Sequence, residues 1–270
     1  MAGAGRGGRG GGGEGRAYDR GMELGLKGRR ALVAGGSTGL GLGCARALAA
    51  EGAIVTLVSR SADKLAAALA TLPGTGHRTV VGDVSEIDSV PGLMAEAEVA
   101  MGGVDILVAN AGGPPPGTFA STPIDAYEPA LRLNLLSTVA MCQASVPAMR
   151  ARHWGRVVAI TSVSVRQPIG TLILSNTARA GLTGFLKTLA IEVAADGVTV
   201  NSLQPGLHAT ERLTALYGGN ADAVAQAIPA RTLGDPGDFG RLCAMLCSDA
   251  AAFVTGAAIP VDGGAYAGLQ

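Results

Sequence analysis

Ala31-Leu-Val-Ala-Gly-Gly-Ser-Thr-Gly-Leu-Gly-Leu-Gly43 is the stretch on which the fold turns. A short apolar run ends in glycines and passes into Ala- and Leu-rich sequence with helical spacing, so it reads as strand, tight turn and helix. Such a turn offers unpaired backbone N–H groups and the positive end of a helix dipole to an anion. Gly35 allows the turn, Gly39 lets backbone come close to a pyrophosphate, and Gly41 lets the helix lie against its strand. Ser37, Thr38 and Leu40 complete the turn and count among the expected nucleotide contacts. The spacing, G-x-x-x-G-x-G, departs from the commoner G-x-G-x-x-G. In a chain with 42 glycines the cluster alone also fits an ordinary strand–helix turn, so the rest of the sequence has to decide.

Outward from this turn, strand-type and helix-type segments alternate. Apolar runs lie at 30–34, 53–58, 78–81, 104–109, 156–160, 198–203 and 258–261, with helical patterns at 39–51, 62–71, 86–102, 125–152, 172–195 and 236–248 between them. Continuous apolar strands separated by helices predict a parallel sheet covered on both faces, and right-handed crossovers make it doubly wound. The expected fold is α/β: one Rossmann-type domain over residues 22–270, with a seven-stranded parallel sheet and helices on both sides. The least regular stretch, 207–235, falls near the strand ends, where a mobile substrate lid belongs.

Composition narrows the function. The 270 residues are 48% hydrophobic, ample for one large core, and the formal net charge is zero, which points to neither nucleic acid nor an anionic membrane. Aromatics make up only 3%, too few for base-stacking platforms. No apolar run reaches the length of a membrane span. Cys44, Cys142, Cys243 and Cys247 lack zinc spacing; Cys243 and Cys247, four apart on a helix, read as small core residues in a reduced, cytoplasmic protein. Residues 1–16 hold nine glycines and three arginines, so 1–21 reads as a disordered Gly/Arg-rich tail, with Met1 or Met22 as the translation start.

In an open α/β sheet, ligands bind beyond the carboxyl ends of the strands, and four groups of residues fall there. The first is the glycine turn. The second, Ser59-Arg60, has no acid to accept from a ribose 2′-hydroxyl but has an Arg that can pair with a 2′-phosphate, so it favours NADP(H) over NAD(H); a solvated surface Arg is the rival reading. The third is Gly82-Asp83-Val84, where Asp83 either accepts from an adenine amino group or caps the following helix, and Val84 flanks the ring. The fourth is Asn110-Ala111-Gly112, in which Asn110 links neighbouring strand ends and Gly112 permits close approach to a nicotinamide ribose.

With those contacts in that order, the chain resembles the short-chain dehydrogenase/reductase family from about residue 24 to 266. The resemblance extends to Asn201-Ser-Leu-Gln-Pro-Gly206, Val254-Thr-Gly256 and Val261-Asp-Gly-Gly264. It is strongest to the branch related to 3-oxoacyl-acyl-carrier-protein reductases, including atypical members with a Gly-Gly-Pro-Pro-Pro loop, here Gly112–Pro116. One departure is Ala34, where the family usually has Thr. The resemblance places Pro205 and Gly206 over the nicotinamide and Thr210 on its amide. It also implies a small-molecule substrate and a homo-oligomer, tetramer or dimer, formed through the helices at 125–152 and 172–195. The face Ala178, Gly181, Leu182, Phe185 suits that contact or packing on the chain's own sheet.

The same resemblance implies four catalytic residues. Asn134 matches the helix Asn that holds a water, and Ser162, 28 residues on, matches the Ser that binds the substrate oxygen. Thirteen residues beyond Ser162, where the family has its proton-donating Tyr, stands Ser175. Four further on, in place of the Lys that lowers the Tyr pKa and holds the ribose, stands Arg179. An i,i+4 pair shares one helix face, so both should face the cofactor. A phenol can be tuned toward neutrality by a nearby cation, whereas an alkanol is too weak an acid, and Arg stays protonated. Arg179 is expected instead to donate to ribose hydroxyls. No tyrosine lies between Tyr127 and Tyr217 to stand in. Halohydrin dehalogenases also carry Arg for Lys, but they keep the Tyr and lose the glycine turn, the reverse of this chain. The expected activity is that of an NADP(H)-dependent oxidoreductase with altered site chemistry; a cofactor-binding pseudoenzyme and a non-redox lyase or isomerase are the alternatives. His208 reads as a loop residue or a substitute acid, Ser164 as a turn hydroxyl or second donor, Lys187, His77 and His153 as solvated, and Trp154 as packing. No metal-ligand set is expected.

Overall fold

The computed structural model describes residues 23–218 and 220–269; the tail expected over 1–21, and Met22, lie outside the described residues. Seven parallel strands form one sheet: β1 (Arg30–Ala34), β2 (Ile54–Ser59), β3 (Arg78–Val81), β4 (Ile106–Ala109), β5 (Gly155–Ile160), β6 (Val198–Pro205) and β7 (Ala258–Val261). Their order is β3-β2-β1-β4-β5-β6-β7. The chain therefore moves outward from β1 to β3, then crosses back to lay β4 on the other side of β1. At that reversal the connections leave in opposite directions and open a crevice above the carboxyl ends.

Helices cover both faces: α1 (Gly39–Ala50), α2 (Ala62–Leu69), α3 (Val90–Met101), α4 (Tyr127–Leu131), α5 (Ser137–Ala151), α6 (Ile173–Val193), α7 (Glu211–Tyr217), α8 (Ala221–Gln226) and α9 (Pro236–Cys247). Local chemistry sets their ends. The Ser61 hydroxyl accepts from Lys64 N before α2, Asp235 accepts from Gly237 N and Asp238 N before α9, and Gly102 closes α3 in the left-handed conformation. The helix expected over 125–152 is one long element with a fault in it. Between α4 and α5 the residues Arg132–Leu136 form a π-helical turn. Periodicity does not reveal an extra residue inside a helix, but such bulges mark functional positions, and this one holds Asn134. Strand four also starts later than expected, because Asp105 turns its carboxylate onto Arg30 (Nη2 2.6 Å) ahead of the apolar run.

The sheet separates two apolar cores. Along β1, Leu32 and Ala34 enter the layer with Met141, Leu182 and Leu186, while Ala31 and Val33 enter the layer with Leu48, Phe239 and Cys243. That alternation is the period of a strand. Each such buried leucine or phenylalanine contributes about 1.5–3 kcal/mol. In the second layer α1 lies against α9 at Gly43 and Gly240, where a Cβ on either would run into the other helix's backbone. Cys44, Cys142, Cys243 and Cys247 are buried free thiols. Trp154 packs against the Arg29 and Arg156 guanidiniums (3.7 and 4.4 Å from the ring centre) and donates Nε1–H to Asp249 Oδ1 at 3.0 Å. Of the small-residue face on α6, Ala178 and Leu182 are buried in the chain's own core and Gly181 is exposed. Among the described residues no helix is long and apolar enough to cross a membrane.

Candidate active site

A single cavity of about 1040 Å³ occupies the crevice above the strand ends. Gly35, Ser37, Thr38, Gly39 and Leu40 line it at the end of β1, and Arg60, Asp83 and Val84 at the ends of β2 and β3. Asn110, Ala111 and Gly112 line it after β4, Ser162, Ser175 and Arg179 after β5 and on α6, and Pro205, Gly206 and Thr210 after β6. Residues scattered over 175 positions of sequence thus share one wall, because every parallel strand ends on the same side.

Gly35 and Gly39 adopt φ of +57° and +55°, the left-handed region that glycine occupies freely. Gly41 is buried behind the wall: a Cβ there would run into the Gly35 carbonyl oxygen and lie 2.9 Å from Asn110 Nδ2, so only a bare backbone lets α1 approach the turn. Asn110 donates Nδ2–H to Gly35 O at 3.3 Å, joining the ends of β1 and β4. No side chain caps the first turn of α1, unlike α2 and α9, which leaves its N–H groups to the cavity. A Cβ on Gly112 would meet no protein atom within 4 Å.

At the outer end, Arg60 is mostly exposed (79%) and its Nη1 lies 3.7 Å from Asp83 Oδ2. Asp83 Oδ1 accepts from Ser85 N (2.9 Å) and Ser85 Oγ (2.7 Å), so this carboxylate caps the following turn while its other oxygen faces Arg60. Burial alone would raise its pKa, but the Ser85 hydrogen bonds and the Arg60 charge outweigh it and hold the carboxyl below its usual range. Thr210 caps α7, its hydroxyl accepting from Leu213 N at 3.4 Å.

The inner end holds the residues expected to be catalytic. Asn134 is 3% exposed and does not line the cavity; its Nδ2–H donates to Gly112 O at 2.7 Å, and its Oδ1 has no partner among the described residues. A carbonyl can only accept, which fixes the orientation of this amide. The Ser162 hydroxyl accepts from Ser164 N at 3.1 Å, leaving its proton for another acceptor. Ser175 is 7% and Arg179 8% exposed. Arg179 Nη1 donates to Ile160 O and Thr161 O, both at 2.9 Å, pinning α6 to the end of β5 and leaving the other N–H groups of the guanidinium for a ligand. Burial, reinforced by the Arg212 charge, brings its pKa down to about 10, so it remains a cation at neutral pH.

Several wall residues carry little signal in the local sequence pattern. Arg212, Lys64, Gln167, Leu172, Tyr217 and Tyr266 all line the cavity. Two phenols therefore border it, although none lies near Ser175 in sequence; Tyr266 comes from the segment after β7, whose position no local pattern reveals. Arg212 follows Thr210 by two residues, and a basic residue at a lid entrance is the available signal. His208 is a loop residue as expected, but a buried one: it is 5% exposed and packs edge-on against Phe239 with ring centres 5.2 Å apart. Its Nδ1–H donates to Gly206 O at 3.3 Å, and burial lowers its pKa against that bond and the Asp235 charge, so the ring is neutral near pH 7 and a poor substitute acid. Lys187 is exposed and donates to Gly256 O.

A family profile described as enoyl-(acyl carrier protein) reductase matches residues 34–266. Nodulation protein G of Azospirillum brasilense is 36% identical over 238 residues, covering 87% of this chain and 96% of the relative. The structure of L-sorbose reductase from Gluconobacter frateurii, complexed with NADPH and L-sorbose, superposes with a TM-score of 0.85 at 32% identity over 92% of this chain and 100% of that one. A 3-oxoacyl (acyl-carrier-protein) reductase from Agrobacterium tumefaciens with NADP bound gives 0.85 at 32% identity, covering 92% and 99%. With its β3-β2-β1-β4-β5-β6-β7 sheet and its glycine turn beneath that crevice, this chain belongs to the short-chain dehydrogenase/reductase family, in the branch of the 3-oxoacyl-acyl-carrier-protein reductases.

Proposed function

We propose that this protein binds NADP(H) in the crevice and works as an oxidoreductase on a carbonyl, an alcohol or an activated double bond, with Ser175 and Arg179 standing where the family has Tyr and Lys. The observation that carries the reading is the single cavity of about 1040 Å³ joining the glycine turn to Ser162, Ser175 and Arg179. Its size suits a dinucleotide together with a small substrate. The uncapped N–H groups of α1 fit a diphosphate, the open space at Gly112 fits a ribose, and Arg60 fits a 2′-phosphate, which favours NADP(H) over NAD(H). The NADPH-bound and NADP-bound relatives support the same cofactor.

The bound cofactor supplies or accepts the hydride. Ser162, its lone pair engaged by Ser164 N, donates its proton in a hydrogen bond to the substrate oxygen. Arg179 stays charged and places a positive field beside Ser175. Ser175 donates a hydrogen bond but, as an alkanol, does not give up its proton; in a reduction the proton comes from water. A positioned general acid contributes about 10²–10⁴ in rate, so simple ketones are poor substrates. Conjugated alkenes and imines, which need less acid at oxygen, are the better ones.

One observation favours a second reading, a cofactor-binding pseudoenzyme acting as sensor or partner subunit: the residue at the Lys position is bonded into the fold at Ile160 and Thr161. Purified protein is titrated with NADPH by fluorescence and then assayed against ketones, enones and imines. Product formed one-to-one with NADPH consumed supports the oxidoreductase. Binding without turnover across the panel supports the pseudoenzyme, and product without net cofactor consumption a lyase or isomerase. We further place the protein in the cytoplasm as a homotetramer or homodimer through α5 and α6, a state that light scattering on the eluting protein reads directly.

A further inference from the structure

Charge is unevenly balanced along the cavity wall. Four permanently basic side chains line it, Arg60, Lys64, Arg179 and Arg212, against two carboxylates, Asp83 and Glu211. Both carboxylates are engaged at the outer end: Asp83 faces Arg60 at 3.7 Å, and Glu211 Oε2 lies 3.3 Å from Lys64 Nζ. Arg179 and Arg212 have no carboxylate within 4 Å among the described residues, although the Arg212 charge reaches Arg179 strongly enough to perturb it. A guanidinium buried to 8% exposure without a counter-ion is costly unless something anionic joins it.

Arg212 is held where such an anion would sit. Its Nη2 donates to Pro114 O at 3.0 Å, tying α7 to the loop after β4. A Cβ on Gly113 would stand 2.8 Å from that nitrogen, so the bare glycine is what lets the guanidinium lie along the loop. On the same cavity wall Arg179 uses only Nη1 on the Ile160 and Thr161 carbonyls; its remaining N–H groups have no acceptor among the described residues. The cofactor's own anionic groups are met elsewhere, by the glycine turn and Arg60.

We propose that the substrate of this site is an anion, a small carboxylic acid whose carboxylate is held between Arg179 and Arg212 with its reacting oxygen or double bond toward Ser162. The inference rests on the oxidoreductase reading of the cavity and deepens it to a substrate class: 2-oxo acids and 2-enoic acids rather than neutral ketones. Two guanidiniums also match a carboxylate in a way one lysine cannot, since each offers paired donors.

The test compares phenylpyruvate with methyl phenylpyruvate, and cinnamate with methyl cinnamate, by calorimetric titration into the full-length protein, both cofactor-free and loaded with NADP⁺. Each acid is expected to bind at least about tenfold more tightly than its ester. Arg212→Gln, on an exposed helix face, should abolish that preference and leave NADPH affinity unchanged, while Arg212→Lys should keep part of it. Equal affinities of acid and ester, no binding of either acid, or a preference that survives Arg212→Gln overturns the proposal. A separate NADPH titration reads the cofactor assignment: loss of NADPH binding with the acid preference intact overturns that assignment and supports the anion site.

Discussion

Restoring the family's pair in the double variant Ser175→Tyr/Arg179→Lys asks whether the missing acid is what sets this site apart. Ser175 is 7% exposed and lines the cavity, so an added phenol ring enters the cavity and not the core. The new Lys has two duties, because Arg179 holds Ile160 O and Thr161 O at 2.9 Å; an ammonium has three donors and can keep both carbonyls. A cation about 4 Å from the phenol is worth about 4 kcal/mol at an effective dielectric of about 20. That is roughly three pKa units, which brings a phenol from about 10 toward neutrality. A general acid so tuned contributes about 10²–10⁴, or roughly 2.7–5.4 kcal/mol. The assay is NADPH oxidation by a simple ketone, followed across pH beside the parent and the Ser175→Phe/Arg179→Lys control of similar volume. The double variant should gain about two to four decades in rate and show a limb that falls as pH rises through neutrality. The Phe control should gain nothing. A folded double variant that binds NADPH and reduces no ketone refutes the diagnosis.

The other consequences are smaller and separable. Gly41→Ala drives a Cβ into the Gly35 carbonyl and against Asn110 Nδ2, so α1 must retreat; it should cost about 1–3 kcal/mol of stability by thermal unfolding and weaken NADPH binding about 10–100-fold. Arg60→Gln should weaken NADPH about tenfold and NADH hardly at all, with the difference shrinking at high salt because this side chain is exposed. Asp105 has its pKa lowered: burial raises it, but hydrogen bonds from Arg30 and the charges of Arg30 and Arg152 more than offset this. Its stabilisation is therefore present above the ordinary carboxylate pKa of 3.8 and is lost as pH falls through the lower folded value. Parent protein should lose thermal stability below about pH 4 more steeply than Asp105→Asn, which at neutral pH should already be about 1–3 kcal/mol less stable.

Local chemistry made much of this molecule legible. The turn glycines at 35, 39 and 41 announce themselves because positive φ and close backbone approach leave no other residue type. The inner strands show because strands within a parallel sheet are apolar on both faces, while the edge strands β3 and β7 are only partly buried and show by their short Val- and Ile-containing runs. What stayed hidden was non-local. A five-residue π turn at Asn134 sits within an unbroken helical pattern, since one inserted residue barely changes the spacing of apolar side chains. That Arg179 also ties α6 to β5 does not show beside Ser175, because the carbonyls that occupy its Nη1 lie 18 and 19 residues away. The burial of His208 does not show in Pro205-Gly-Leu-His208, because nothing there reveals the ring of Phe239. Arg212 and Tyr266 reach the cavity from segments whose path depends on the whole fold. The site's backbone frame was thus readable from sequence, and the direction its polar side chains take was not.

All of this depends on a dinucleotide lying across the sheet with its diphosphate on the first turn of α1. Calorimetric titration of NADPH into the full-length protein tests that claim directly. Binding should be saturable at one site per chain, tighter for NADPH than for NADH, and weakened by Gly41→Ala. No heat of binding from either nucleotide at concentrations of about 1 mM, where even a −4 kcal/mol interaction is half saturated, would contradict it.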